Sequence, residues 1–292
     1  MPAPRPGWTA AAAQALGGLG DAAAVHRVLP LLYKEPRLLN LVARCLLLNA
    51  GIFGGSIWTL HRVLLPMAAA VGAKSGAGQL AELVARLAYH AIWLYPAYAI
   101  SYVANCLWYE EIGRVSHDAA MKTAKQNHRP TAPRSWDAAV AQELYKLVLL
   151  GVFFAQITLV GALTPDAFGV RAVAVHVLLS WMYAFYCFDY RWSCEKVALS
   201  KRIEMVETRW AYFLGFGTPS VLSACAVSSD ALVSAAVCSA LFPVFVIAAA
   251  AAADVPENER ASVRLPIFQF ADAQSSLLCR AVLGRPTAPA RR

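Results

Sequence analysis

Charged residues are scarce in this chain. Only 15% of its 292 residues are Asp, Glu, Lys or Arg, while 59% are hydrophobic and mean hydropathy is +0.48. A soluble domain carries roughly a quarter charged residues, so the composition points to an integral membrane protein. Metal-ligand spacing is missing as well. None of the seven cysteines forms a CxxC or stands at zinc-ligand distance from a histidine. Most lie in or beside apolar runs and read as small buried hydrophobes, which leaves no disulfide framework, metal or other cofactor to expect. Residues 1–20 lack the compact apolar core of a secretory signal. They are alanine-rich and free of acids, and read as a disordered cytosolic tail, an organelle transit peptide being the other reading.

Acids are the scarcer sign, so the formal net charge is +8 and the pI about 9.2. In a soluble protein this would suggest nucleic acid. Here no basic helix or aromatic platform stands apart from the apolar runs, so nucleic acid is not an expected partner. The expected partner is the lipid bilayer, with basic residues in cytosolic loops meeting anionic headgroups. Convergent acids and an activated nucleophile are also missing, so no enzyme activity is expected.

What the chain has instead is about six apolar segments near spanning length, roughly 20 residues for a 30 Å hydrocarbon core. The first, 45–67, carries Arg62 near its far end, placed to snorkel, and Asn49, read as a helix–helix hydrogen-bonding residue. The second, 87–108, should kink at Pro96. Residues 109–142 read as a solvated polar loop with a short helix over 112–126. The third segment, 144–163, closes in a TPDAFG turn, and the fourth, 170–188, holds His176, read as a structural histidine. The fifth, 211–227, is at the short limit of a span, and the sixth, 231–253, contains Pro243. Residues 211–253 are therefore either two full spans or a half-penetrating hairpin. The fold class is all-α, a polytopic helical membrane protein. Three parts are expected: a cytosolic tail and amphipathic lead-in over 1–44, a helical transmembrane domain over 45–253, and a cytosolic tail over 254–292, disordered beyond Cys279. In the lead-in, Leu31, Leu38 and Leu41 recur near helical spacing, broken by Pro30 and Pro36.

Orientation follows from basic residues. The lead-in, 109–142, 189–209 and the C-terminal tail are each rich in Lys and Arg, whereas 68–86, 164–171 and 228–230 hold few. The positive-inside rule then puts both termini in the cytosol. Unidentified protein partners would meet the cytosolic loops, and homo-oligomerisation is left open.

The densest mix of charge and aromatics is 186–219. Its FDYRW run falls at the expected cytosolic end of the fourth segment, where Tyr190 and Trp192 suit the membrane interface. Asp189 and Arg191 face different ways on a helix and are available to other elements, while Arg191 can pair with Glu195 four residues on. Further along, Leu199, Ile203, Val206 and Trp210 make one helix face, with Lys201, Arg202, Glu204, Glu207 and Arg209 on the others. The run ends at Gly215, Gly217 and Pro219, a backbone break inside an apolar segment. Such a break must be buried in protein or line water. Either half-helices present free N–H groups to an anion, or the segment simply packs; packing is the preferred reading. The candidate site is thus Asp189, Tyr190, Arg191, Trp192, Arg209, Trp210, Gly215, Gly217 and Pro219.

These motifs carry a resemblance. YCFDYRW, KRIEMVETRWAYFLGFGTP and ALFPVFVIAA, with NAGIF, HRVLLP, WLYP and YVANCLWYEEI upstream, resemble the etoposide-induced transmembrane protein family of eukaryotes over about 43–253. A weaker echo at 21–42 is similar to plant and algal members. The resemblance implies a multi-pass endoplasmic reticulum (ER) protein linked to autophagy, at contacts between the ER and forming autophagosomes, and to stress-induced growth arrest. A more distant similarity to bacterial CysZ-type sulfate permeases implies half-penetrating hairpins and leaves an anion channel or permease as the alternative, with Arg191 or Arg209 attracting the anion. No catalytic residues transfer.

Overall fold

Alanine, leucine and other good helix formers dominate the chain, and the described residues form helices without any strand. The computed structural model describes residues 7–75, 78–123, 136–227, 231–253 and 263–283. The lead-in comprises α1 (Gly7–Ala22), α2 (Val25–Lys34) and α3 (Pro36–Asn49). The break between α2 and α3 falls on Glu35, at φ −118° and ψ 89°. A residue preceding proline is pushed out of the helical region, and Pro36 then occupies the first turn of α3, where its missing N–H costs nothing.

The helical path continues from α3 through a π-helical turn (Ala50–Gly54), α4 (Gly55–Thr59), a second π turn (Leu60–Leu64) and α5 (Leu65–Ser75). Then come α6 (Gly78–Ala88), a third π turn (Tyr89–Leu94) and α7 (Tyr95–Thr123). The second π turn leads directly into Pro66 and the third into Pro96. A proline cannot donate to the carbonyl four residues back and its ring crowds that group; one wider turn relieves the clash. At Pro96, where a kink is expected, the structure shows this π turn over Tyr89–Leu94.

α8 (Trp136–Leu163) and α9 (Val170–Cys194) are joined by a turn with a short 3-10 helix at Ala167–Gly169. The reversal uses left-handed backbone at Phe168 (φ 55°) and Gly169 (φ 73°). Leu144–Leu163 and Val170–Cys194 are long and apolar enough to cross a membrane. α10 (Leu199–Thr208), α11 (Trp210–Val227), α12 (Ala231–Ala251) and α13 (Gln269–Leu283) complete the fold. α11 and α12 pack on each other. The result is an all-α helical membrane protein.

Several expectations need correction. Residues 109–123 are not a solvated loop: α7 continues through them and buries Tyr109, Ile112, Ser116, His117 and Ala119. The rest of that loop falls partly on 124–135, outside the described residues. α9 runs on from 188 to Cys194, so FDYRW forms the last turns of the helix, at its end as expected but still helical. The N-terminal tail is helical from Gly7, and α1 packs along α11. The C-terminal tail is folded over 263–283, with Phe268, Ala271 and Ser275 buried. α13 also continues past Cys279, where disorder was expected to begin. Residues 284–292 lie outside the described residues. The boundary expected at residue 44 falls inside α3, because Leu38, Leu41, Val42 and Cys45 enter one core with residues of α7, α9 and α12. Burial of Leu31, Leu38 and Leu41 follows their helical spacing.

Candidate functional site

The residues of FDYRW meet several parts of the bundle, with Phe188 and Trp192, four apart, sharing the face toward Phe213 of α11. This follows from the roughly 100° step between successive residues of a helix, applied to a helix surrounded on all sides. Phe188 packs edge-on against Phe213 and Phe216 of α11, ring centroids 5.2 and 4.8 Å away. Asp189 is fully buried and binds two cations: Lys146 of α8 donates to Oδ2 at 2.9 Å and Arg202 of α10 to Oδ1 at 2.5 Å. Lys146 also lies over the Tyr190 ring, 5.2 Å from its centroid, a cation–π contact strengthened by desolvation. Tyr190 in turn covers Gly113 of α7, where a Cβ would collide with it. Arg191 donates to Glu195 at 2.8 Å, the pairing expected from spacing, and to the Ala252 carbonyl at 2.7 Å. That carbonyl lies at the C-terminal end of α12, where the helix dipole favours a cation. Trp192 is buried against Phe185, Phe188 and Phe213. The run is therefore not an interfacial anchor but an interior hub.

Arg202 and Glu207, expected on the polar faces of the amphipathic helix, are buried at 1% and 0% exposure. Ile203 and Val206 are buried as expected. Arg202 also donates to the Val197 carbonyl and to Ser193 Oγ, both at 2.9 Å, which pins the turn between α9 and α10. Glu207 holds the C-terminal segment. Arg264 donates to its Oε2 through Nε at 2.8 Å and Nη2 at 2.5 Å, and the Phe268 N–H donates to Oε1 at 3.2 Å. Phe268 then inserts between Phe153 of α8 and Phe185 of α9, with centroids 4.6 and 4.9 Å apart. Tyr145 of α8 adds a 2.8 Å bond to Asp272. Arg209 is the residue between α10 and α11, its N–H donating to the Met205 carbonyl and its own carbonyl accepting from the Phe213 N–H. The Trp210 carbonyl accepts from Trp181 at 2.9 Å and its indole donates to the Val263 carbonyl at 3.1 Å.

Gly215, Gly217 and Pro219 do not break the helix: α11 runs from Trp210 to Val227 with Pro219 inside it. The two glycines are crossing points on opposite partners. A Cβ on Gly215 would overlap the Ala15 carbonyl of α1, and one on Gly217 would overlap the Ser180 carbonyl of α9. Gly18 of α1 makes the reciprocal approach to the Tyr212 carbonyl. Small residues at such crossings allow backbones to meet in a membrane, where packing rather than hydrophobicity drives helix association. The arrangement is the packing one, and the half-helix reading with free N–H groups does not hold. His176 is 3.4 Å from Thr218 Oγ1 across this crossing.

The site is thus a knot of internal ion pairs with an aromatic surround, tying α8, α9, α10, α11, the end of α12 and the C-terminal segment into one body. Sequence reasoning named its α9 residues but missed Lys146 and Arg202 as the partners of Asp189, and missed the Glu207–Arg264 pair and Phe268 beside it. A lone lysine in an apolar run was a usable signal, because an intramembrane cation needs a counter-ion. Asn49 was read as a helix–helix hydrogen-bonding residue, and it bonds Ser101 and Asn105 of α7 and the Ser239 carbonyl of α12.

A family described as "Sulfate transporter CysZ/Etoposide-induced protein 2.4" matches residues 24–252. The Protein EI24 homolog of Arabidopsis thaliana is 29% identical over 308 aligned positions, covering 90% of this chain and 92% of that protein. The Protein EI24 homolog of Dictyostelium discoideum is 31% identical over 160 positions, 54% of this chain and 48% of the other. Ectopic P granules protein 4 of Caenorhabditis elegans is 30% identical over 159 positions, with 53% and 47% covered. No solved structure matches the chain.

Proposed function

The chain belongs to the sulfate transporter CysZ/etoposide-induced protein 2.4 family, and on that premise we propose that it acts in autophagy as a multi-pass protein of the ER membrane. Its work is the maturation of autophagosomes at contacts with the ER, and it takes part in the stress response. The nematode relative is named for ectopic P granules, granules out of place, which fits a role in clearance. The observation that carries the choice of a scaffold over a permease is the closure of α11. Gly215 and Gly217 face backbone of α1 and α9, and Arg191 is committed to Glu195 and Ala252. An ion path needs backbone dipoles or charges open to water, and at this crossing protein fills the space. The role is exerted through surfaces outside the bilayer, toward protein partners and lipid.

The test is an autophagy-flux reporter in cells lacking the gene. Flux should stall at immature membranes and recover with the intact chain. Normal flux in the deleted cells would overturn the proposal. Purified protein in liposomes separates the other class: sulfate uptake above protein-free vesicles would move the reading to transport.

A further inference from the structure

A cavity of about 400 Å³ lies between α3, α7, α8, α9 and α12, and borders the charge hub at Tyr186, over whose ring Lys146 Nζ lies 5.8 Å from the centroid. Its floor is polar. Asn49 Oδ1 accepts from Asn105 Nδ2 at 2.9 Å and from Ser101 Oγ at 3.2 Å. Asn49 Nδ2 and the Tyr109 hydroxyl both donate to the Ser239 carbonyl at 3.2 Å. One group is left over. Asn105 is 5% exposed, and its Oδ1 has no hydrogen-bond donor among the described residues. A buried amide oxygen calls for a donor.

The walls and mouth say what kind of donor. Tyr183, Tyr186 and Phe242 line the cavity, and among the described residues no Lys, Arg, His, Asp or Glu does. A charged ligand would be desolvated there without a counter-charge. The rim is Leu147, Gly151 and Phe154 of α8, all exposed, within the Leu144–Leu163 stretch able to cross a bilayer. The mouth therefore opens sideways, toward hydrocarbon rather than water. A volume of this size is in the range of small-molecule pockets.

We propose that this cavity binds an uncharged, hydroxyl-bearing lipid drawn from the surrounding bilayer, its hydroxyl donating to Asn105 Oδ1 and its apolar body leaving between Leu147 and Phe154. A diacylglycerol and a sterol share this chemistry, a neutral hydroxyl on an apolar body. The inference is independent of the autophagy reading and stands or falls separately from it. It is also distinct from anion transport, which the uncharged lining does not serve.

The test is photo-crosslinking of the full chain in nanodiscs, with three photoactivatable probes in parallel: a diacylglycerol, a sterol and a phosphatidylserine. At least one neutral probe should label peptides of α7, α8 or α12 that line the cavity, and the charged probe should not. Asn105→Leu removes the acceptor and should cut labelling about ten-fold, the equivalent of one hydrogen bond. Gly151→Phe blocks the mouth and leaves the polar floor intact; no neighbouring element comes within 4 Å of a Cβ built there, so the fold tolerates the entry of a side chain. Its labelling should fall equally at an unchanged melting temperature. Labelling by neither neutral probe, equal labelling by phosphatidylserine, or undiminished labelling in Gly151→Phe would overturn the proposal.

Discussion

Gly215 of α11 lies directly on Ala15 of α1, so close that a methyl group on the glycine would occupy the space of the Ala15 carbonyl oxygen. Gly215→Ala should therefore lift α1 from the bundle at a cost of about 1–3 kcal/mol, the usual range for overpacking. Hydrogen exchange should show lost protection over 7–22, and deletion of residues 1–23 should leave the melting temperature insensitive to Gly215→Ala. Gly217→Ala acts on α9 instead and should lower the melting temperature whether or not α1 is present. Equal behaviour of the two substitutions would show that the glycines do not serve separate crossings.

Asp189 is the shared anion of two buried cations, Lys146 and Arg202. Asp189→Ala leaves Lys146 and Arg202, 3% and 1% exposed, without their shared anion. Breaking a buried ion pair costs about 3–5 kcal/mol. The variant should melt far lower in detergent or fail to purify as a single species. Adding Lys146→Met and Arg202→Met to Asp189→Ala should restore part of the loss, because an apolar replacement removes the stranded charges. A triple variant less stable than the single one contradicts this account.

Glu207 should control the docking of the C-terminal segment. Glu207→Gln keeps the shape but weakens the charge-assisted bonds to Arg264 and the Phe268 N–H, each worth about 1.5–3 kcal/mol when a charge is involved. Limited proteolysis should then cut within 263–283 sooner than in the native chain. Phe268→Ala should give the same pattern by emptying the space between Phe153 and Phe185. Unchanged protection in both variants would mean that α13 is held by other contacts.

The pairing of α1 with α11 also predicts where the N-terminus lies. Ala15 faces Gly215, Gly18 faces Tyr212 and Phe216, and Asp21 accepts from the Tyr212 hydroxyl at 2.9 Å, so the two helices run antiparallel. If the start of α11 lies at the cytosolic side, as the distribution of basic residues leads one to expect, Trp8 lies about 20 Å deeper than Asp21, at roughly 1.5 Å per residue. In a chain stripped of other reactive thiols, Ala23→Cys should react with a membrane-impermeant maleimide from the cytosolic side and Trp8→Cys should not. Reaction at both positions would restore the view of 1–20 as a cytosolic tail.

Much of the fold was legible because its signals are local. The ends of α8 and α9 are written in the TPDAFG turn, the Leu31, Leu38 and Leu41 stripe needs only helical spacing, and the third π turn sits just before Pro96, which removes a donor. The hub was half legible. Asp189 and Arg191 declared that they would pair with other elements, and the Arg191–Glu195 pair followed from an interval of four. The distant cations of the hub were not legible, since Lys146 is 43 residues from Asp189 and Arg264 is 57 from Glu207. Polar composition also misled: Arg202 and Glu207 looked like a solvated face, yet both are buried, Arg202 on the buried Asp189 and Glu207 under the half-exposed Arg264.

By itself the sequence determined the class of molecule, its helical segments and its family, because hydropathy, proline position and short motifs act within a turn or two of the chain. Only the tertiary structure decided what the glycines of α11 are for. Glycine permits a break, an open backbone or a close approach with equal ease, and the choice among these depends on what lies opposite. At Gly215 it is the carbonyl of Ala15 and at Gly217 that of Ser180, and both come from helices far away in the sequence.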